Sequence, residues 1–429
     1  GAANSLMRIE YDSSADTIKI FDDGTEVFPA STGVSNTVGL TGHNSLHFGC
    51  APYASCTVIT ATFSPLSGTP TAGFKELTAP NLSDPTIEDP KRYFGTLLYT
   101  GNGTTGQTVT GLETSSGTSW TPDLVWIKPR SQPYNHKLFD SVRTLGFSLE
   151  SSTTNVQADL SAEFIAFADG GFQVDDNGSN NINQSGVTHV AWNWEAGGSG
   201  SSNGDGSVSS TVSVNQTAGF SIVKWTHTTS ANYTVGHGLG AVPKLILVKT
   251  FDQGTNWGVF HSNITLGNRL ILNTTAAQSS GYWGANTFNS TVFSISSGRD
   301  ANSSNAIAYC FAEVEGYSKF GGWVGNGSTD GQYVDLGFKP AFLFFKCTSA
   351  VDAWQIYDNK RRNRNAYGES IAPNSSAVEG SFSERVDLLS TGFKTRSTNT
   401  AINGSGESYV YAAFAQSPFK TATAFGLES

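Results

Sequence analysis

Paired carboxylates, aromatic rings beside acids or amides, and cysteines are the side chains here whose type and spacing could do chemistry. Asp175-Asp176 and Glu313-x-Glu315 are pairs of the kind used in glycoside hydrolysis, one carboxyl acting as acid and the other as base or nucleophile. Neither pair recurs elsewhere at an equivalent place, and both sit at strand ends, where solvated charges are usual. Asp22-Asp23-Gly24 and Asp175-Asp176-Asn177-Gly178 gather oxygen ligands as a Ca2+ loop does. Asp22, Asp23, Asp175 and Asp176 are therefore the candidate metal ligands, although ordinary β-turns share that composition. The 7 histidines are scattered, with no His-Glu-x-x-His or paired-cysteine zinc spacing. The expectation is a protein that is not an enzyme and holds no cofactor, unless those aspartates take Ca2+.

Sugar binding is the better functional reading of the rings. A lectin site stacks an aromatic face on the apolar side of a sugar and surrounds it with amides, acids and backbone donors. Trp257 and Trp354 stand at corresponding places, near Asn256 and Asp352, and Trp283 follows Tyr282 in a long insertion. These three are the candidate glycan platform. The apolar alternation after Trp257 and Trp354 (Val259, Ile356) favours a core role for both, and Trp283 suits either role equally. Of the 4 cysteines, Cys50 and Cys56 could close a small disulfide loop. Cys310 and Cys347 lie within apolar runs and read as small hydrophobes.

The elements that must position these residues are strands. Charged residues form only 14% of the chain, while 47 Gly accompany 27 Phe, 14 Tyr and 9 Trp. Aromatic and β-branched residues suit a pleated surface, and Gly, Asn and Ser suit the turns between strands. No long stretch repeats Leu or Ala at helical spacing.

One order of motifs recurs three times. A Pro-led apolar run ending in Lys appears as Pro122-Asp-Leu-Val-Trp-Ile-Lys128, Pro243-Lys-Leu-Ile-Leu-Val-Lys249 and Pro340-Ala-Phe-Leu-Phe-Phe-Lys346. A turn precedes it each time, at Tyr99–Gly103, Trp225–Thr229 and Trp323–Gly327. Downstream come His136-Lys-Leu-Phe-Asp140, Trp257-Gly-Val-Phe-His261 and Trp354-Gln-Ile-Tyr-Asp358. Each copy closes on its most apolar run, beginning at His189, Ala306 and Tyr409. Such repetition marks tandem units, and short strands separated by frequent turns predict all-β sandwich modules with jelly-roll-like wiring. The Pro-led and closing runs, apolar nearly throughout, are expected mid-sheet.

The modules fall at residues 93–197, 207–320 and 321–420. Residues 1–78 form a different, partial β unit, 79–92 a Pro-rich strap, 198–206 a flexible Gly/Ser linker and 421–429 a tail. The joint between the second and third modules is short enough to hold them in fixed relation. The net charge is −10, from 25 Lys plus Arg against 35 Asp plus Glu, which argues against nucleic acid as a partner. The one basic run, Lys360-Arg361-Arg362-Asn363-Arg364, reads as a solvated loop. No segment approaches an apolar membrane span, so no membrane insertion is expected.

Tyr-Thr-Gly-Asn-Gly, Pro-Asp-Leu-Val-Trp-Ile-Lys, Leu-Phe-Asp-Ser-Val-Arg, His-Val-Ala-Trp-Asn-Trp and Ala-Tyr-Cys-Phe-Ala-Glu-Val-Glu-Gly-Tyr-Ser-Lys-Phe, in this order, resemble repeat-containing proteins of tailed, especially marine, bacteriophages. Residues 73–420 carry the resemblance. Ile18-Lys-Ile-Phe-Asp-Asp-Gly-Thr-Glu is similar to the later half of a concanavalin-A-like (laminin-G-like) sandwich. The resemblance implies a virion-surface protein: a tail fibre, head fibre or capsid decoration. Its partners would be other virion proteins and host-surface polysaccharide. A homo-oligomer, possibly a trimer, would bury the low-charge module faces and edge strands.

Overall fold

A computed structural model describes residues 84–176, 182–228, 231–284, 287–297, 303–362 and 364–418, together with four short strands nearer the N-terminus. The chain divides into two compact units, Gly1–Asp84 and Pro85–Ser429. In the first, Met7–Asp12 pairs antiparallel with Thr17–Asp22, and that strand also pairs with Thr25–Glu26 and Val38–Gly39. Asp22 closes this ladder opposite Met7. Asp23, Cys50 and Cys56 lie outside the described residues. Among the described residues no helix is long and apolar enough to cross a membrane.

The second unit is all-β and contains three sandwich modules. Each is built on an inner sheet whose core is four strands in one spatial order: first, closing, Pro-led, fourth. In module 1 these are Phe94–Thr100, Thr188–Trp194, Leu124–Pro129 and Lys137–Asp140. In module 2 they are Phe220–Thr226, Asn305–Phe311, Leu245–Thr250 and Gly258–His261. In module 3 they are Ser318–Val324, Ser408–Pro418, Phe338–Cys347 and Gln355–Asp358. The second and penultimate strands of each module pair in an outer sheet. This interleaving is the jelly-roll-like wiring expected from the repeat. In module 3 the strand begins ahead of Pro340, which sits at a register shift, as a residue without an N–H must.

Residues 198–206 are not a flexible linker. Ser201–Asn203 pairs with Ser210–Asn215, which in turn edges the inner sheet of module 2. The Gly197 N–H donates to Ser213 Oγ at 2.8 Å. A polar, Gly-rich sequence can do this because a strand added at a sheet edge needs only its backbone groups.

Alternate residues of each inner strand serve different cores. Val125, Ile127 and Ala191 face the interior of module 1, while Leu124, Trp126, Trp192 and Trp194 face a core shared with the other modules. Ile246 and Cys310 likewise face the module 2 interior, with Leu245, Leu247, Tyr309 and Phe311 on the shared side. Leu343, Phe345 and Tyr411 belong to module 3, with Phe342, Phe344, Ala412 and Phe414 shared. Burial on both faces is why these antiparallel strands read as continuous apolar runs, a pattern more usual in doubly covered sheets.

The last inward residue of each closing strand meets its two equivalents at the centre. Ring centroids lie 6.1 Å apart for Trp194–Phe311, 5.7 Å for Trp194–Phe414 and 5.6 Å for Phe311–Phe414. All three contacts are edge-to-face, the arrangement that aromatic quadrupoles favour. Beside this triangle lies a cavity of about 20 Å³, lined by inward residues of all three modules. That is room for about one water-sized sphere in an apolar setting, too little for an organic ligand. Ile87 from the strap joins the same core.

Candidate functional site

The three tryptophans chosen as a sugar platform cannot serve as one. Trp257, Trp283 and Trp354 are 0%, 2% and 1% exposed, and a stacked sugar needs an open ring face. Trp283 packs inside module 2 against Phe260, at 5.7 Å between centroids. Its neighbour Tyr282 fills the space over Gly258, where any Cβ would meet the Tyr282 ring at 2.5 Å. Trp257 and Trp354 instead bridge modules.

Those bridges repeat cyclically. Trp257 donates its ring N–H to the Glu150 carbonyl of module 1 at 2.9 Å. Trp354 donates likewise to the Ile271 carbonyl of module 2 at 3.0 Å. At the third equivalent place, His136 Nε2 meets the Ala372 carbonyl of module 3 at 3.1 Å. A second set uses the backbone. The amides of Gln157, Gln278 and Glu379 donate to the carbonyls of Phe251, Thr348 and Arg130, so module 1 reaches 2, 2 reaches 3, and 3 reaches 1. Head-to-tail contacts of this kind generate a closed ring when the rotation closes. Here the ring closes within one chain.

The fourth strand ends on an equivalent polar residue at each junction. Asp140 accepts from Arg143 Nε at 2.7 Å and from the Tyr309 hydroxyl of module 2 at 2.8 Å. Asp358 accepts from Arg361 Nε and from the Trp192 ring N–H of module 1 at 3.0 Å. In module 3 the residue matching Tyr309 and Trp192 is Ala412, which has no donor. The corresponding residue of module 2 is His261, whose Nε2 bonds the Tyr411 carbonyl at 2.9 Å. The substitution on one side of the junction matches the loss on the other.

The Lys at each strand exit is fully buried and clamps loop carbonyls. Lys249 reaches Thr154, Gln253 and Thr255. Lys128 reaches Pro129 and Ser376, and Lys346 reaches Cys347 and Ala350. Burial pushes the Lys128 and Lys346 amines down to about 8. The basic run is also not a solvated loop throughout. Arg361 is buried between Asp358 and Glu379, and the half-buried Arg362 pairs with Glu369 at 2.9 Å, while Lys360 and Arg364 are exposed. The reason is Asp358: a buried carboxylate needs a paired cation.

The remaining candidates are structural in their placement. Asp175 accepts from the Gly106 amide and braces that turn, and Asp176 is half-buried beside it. Among the described residues no group of three or more His, Cys, Asp or Glu could hold a metal ion. Glu313 is exposed and accepts from the Phe320 amide at 3.1 Å, while Glu315 is exposed. Cys310 and Cys347 are free and buried, and burial raises the Cys310 thiol far above its ordinary range.

The surface best suited to a ligand is the outer face of module 3. Its sheet runs Tyr333–Asp335, Gly392–Thr395, Gly380–Leu389, Tyr367–Ser370. Val334, Phe393 and Leu388 point inward, so Tyr333, Lys394 and Asp387 fall in a row on the opposite side, where Asp387 is buried. Tyr333 is 38% exposed; Phe382, two strands away, is 45% exposed but carries the Arg385 guanidinium over its ring, so Tyr333 is the ring this face offers. Charges are paired around them: Lys394 to Asp330 at 2.5 Å and Arg396 to Asp387 at 2.5 Å. The Tyr333 hydroxyl is fixed by Thr391 and Asp335. The corresponding rows are Thr108, Gln173 and Ala166 in module 1 and Thr234 and Ser294 in module 2. The sequence signal for this face was weak. One Tyr in a short polar strand looks like any surface strand until its neighbours are known.

Residues 89–418 match the family model of a domain of unknown function, DUF7483, and the chain belongs to that family. No curated protein and no solved structure matches it.

Proposed function

We propose that this chain is a non-enzymatic structural and adhesive protein of a bacteriophage virion surface, fibre-like or decorating, in which module 3 holds host-surface glycan. The observation that carries the adhesive part is the outer face of module 3. An exposed ring, Tyr333, with flanking paired charges and a fixed hydroxyl supplies what a sugar needs: an apolar platform beside oriented donors and acceptors. The other two modules place Thr108, Gln173 and Ala166, or Thr234 and a buried Ser294, at those positions, with no aromatic ring. Support for the structural part is the closed ring, which commits two faces of every inner sheet to packing and leaves a rigid scaffold. The virion location rests on the sequence resemblance.

The ring also changes the argument for a trimer of chains. The low-charge module faces that would have needed a partner are covered by the other modules of the same chain. A homo-oligomer would have to use other surface.

Glycan-array binding of the full chain, compared with Tyr333→Ala, tests the reading. Binding to host polysaccharide that is lost in the variant supports it. Tight binding to purified particles with no glycan bound would select a decoration protein without a ligand. Release of reducing ends from the polysaccharide would sink the non-enzymatic assignment.

A further inference from the structure

The three junctions are equivalent in geometry but not in chemistry. Both junctions of module 3 carry a histidine at a bonding position, and the junction between modules 1 and 2 carries Trp257 and Asp140 at those positions. We propose that acid uncouples module 3 from the pair formed by modules 1 and 2, through protonation of His136 and His261.

Each imidazole is held as the neutral Nε2–H tautomer by its partners. His136 Nδ1 accepts from the Trp126 ring N–H at 2.9 Å, and its Nε2 donates to the Ala372 carbonyl across the junction. His261 Nδ1 accepts from the Asn263 amide at 3.1 Å, and its Nε2 donates to the Tyr411 carbonyl across the junction. A proton added at Nδ1 turns that acceptor into a donor facing a donor, so protonation breaks the contact that seats each ring in its own module. The Nε2–H bond across the junction is not itself lost, and the cost falls on holding a charged ring in the closed, buried junction.

The surroundings oppose the charged form. His136 lies between the Trp126 and Trp192 rings. The charged groups facing it are Lys128 of its own module and Arg361 of module 3, the latter tied to Asp358 and Glu379. Ser375 of module 3 offers a backbone contact. His261 faces Lys244 of its own module and the Tyr411 backbone of module 3. Burial, reinforced by these cations, holds His136 well below the ordinary imidazole range and His261 down to about 4. Opening the junction returns the ring to water, where it takes a proton readily, so acid favours the open form.

Module 3 also bears the exposed ring face described above, so the acid-sensitive part and the candidate ligand surface travel together. The inference does not depend on that ligand.

The chain contains its own control. The Gln157 amide reports the junction of modules 1 and 2, Gln278 that of 2 and 3, and Glu379 that of 3 and 1. Hydrogen–deuterium exchange of the full chain at pH 8 and pH 5, corrected for the intrinsic pH dependence, reads all three. Protection at Gln278 should fall about thirtyfold, the ratio given by a proton affinity of 6.5 open and about 4 closed. Glu379 should lose protection in the same direction, and Gln157 should keep it. Equal loss at all three amides, or none at any, overturns the proposal. In a His136→Gln/His261→Gln variant, which retains a donor and an acceptor but does not titrate, module 3 should stay docked at pH 5. Acid opening that persists in that variant also overturns it. If the variant does not fold, the wild-type comparison decides alone.

Discussion

Inner and outer sheets of the second unit differ in how far the modules have diverged. The four core inner strands keep one order in all three modules, module 2 adding strands only outside that core, whereas the outer sheets have three, two and four strands with no shared set beyond one pair. Closing a ring explains the contrast. Every inner sheet must present both halves of the same junction, and a change in one half is answered in its neighbour, as Ala412 is answered by His261. The outer sheet meets only its own module interior and solvent. It is free to gain strands, rings and charges, and module 3 has used that freedom most.

The largest test of this contrast is truncation at the ring centre. Phe414→Ala removes one corner of the aromatic triangle, where the side chain is 2% exposed, and should cost about 3–5 kcal/mol. Phe382→Ala on the outer face of the same module should stay within about 0.5 kcal/mol. Denaturant unfolding of both variants measures the difference. Comparable losses would mean that the outer face is as structural as the centre.

Acid should come next. His261 has its folded affinity lowered from 6.5 to about 4, so its contribution is complete above pH 6.5. As pH falls from 6.5 towards 4 the unfolded chain binds a proton that the folded chain refuses, and stability falls. The loss is about 1.4 kcal/mol per pH unit over that window, ending near 4. His261→Gln should flatten that part of a stability–pH curve. An unchanged slope would place the acid sensitivity elsewhere.

A smaller effect is expected from Trp257→Phe, which keeps the ring and deletes the donor to the Glu150 carbonyl. Leaving that carbonyl unpaired should cost about 1–3 kcal/mol, with exchange rising at Gln157 before Gln278 or Glu379. If all three amides respond alike, the ring behaves as one cooperative body and the junctions are not separable.

Much of the inner layer was legible in the sequence. The repeated motif order marked the three modules, and the Pro-led and closing runs were expected mid-sheet, where they lie. The same runs held a further signal that was read only in part. Leu124, Val125, Trp126 and Ile127 are apolar at both parities, more than a sheet with one wet face requires. That excess pointed to a second buried face, but not to what covers it, because contacts between distant segments leave no local pattern. The candidate rings failed for a related reason. Trp257 beside Asn256 looks the same whether its indole bonds a sugar or a carbonyl of the next module. Lys360–Arg364 read as solvated because the burial of Asp358, although it lies only three residues before Arg361, and the approach of Glu379 to the same guanidinium arise only in the fold.

Tyr333→Ala should have the smallest effect on stability and the largest on recognition, which separates the outer face from the inner layer most sharply. Tyr333 is exposed, and its strand is held by pairing with Gly392–Thr395 and by Val334 beneath, neither of which depends on the ring. The unfolding free energy should therefore move by no more than about 0.5 kcal/mol. Removing a stacked ring from a sugar site forfeits the apolar contact that orients the ligand, so affinity should fall at least about tenfold, equivalent to about 1.4 kcal/mol. Titration calorimetry with the bound polysaccharide, run beside denaturant unfolding of the same preparation, gives both numbers. Lost affinity with unchanged stability assigns the ring to the ligand. A loss of both would return Tyr333 to the structural layer and leave the outer face of module 3 as a variation without a binding role.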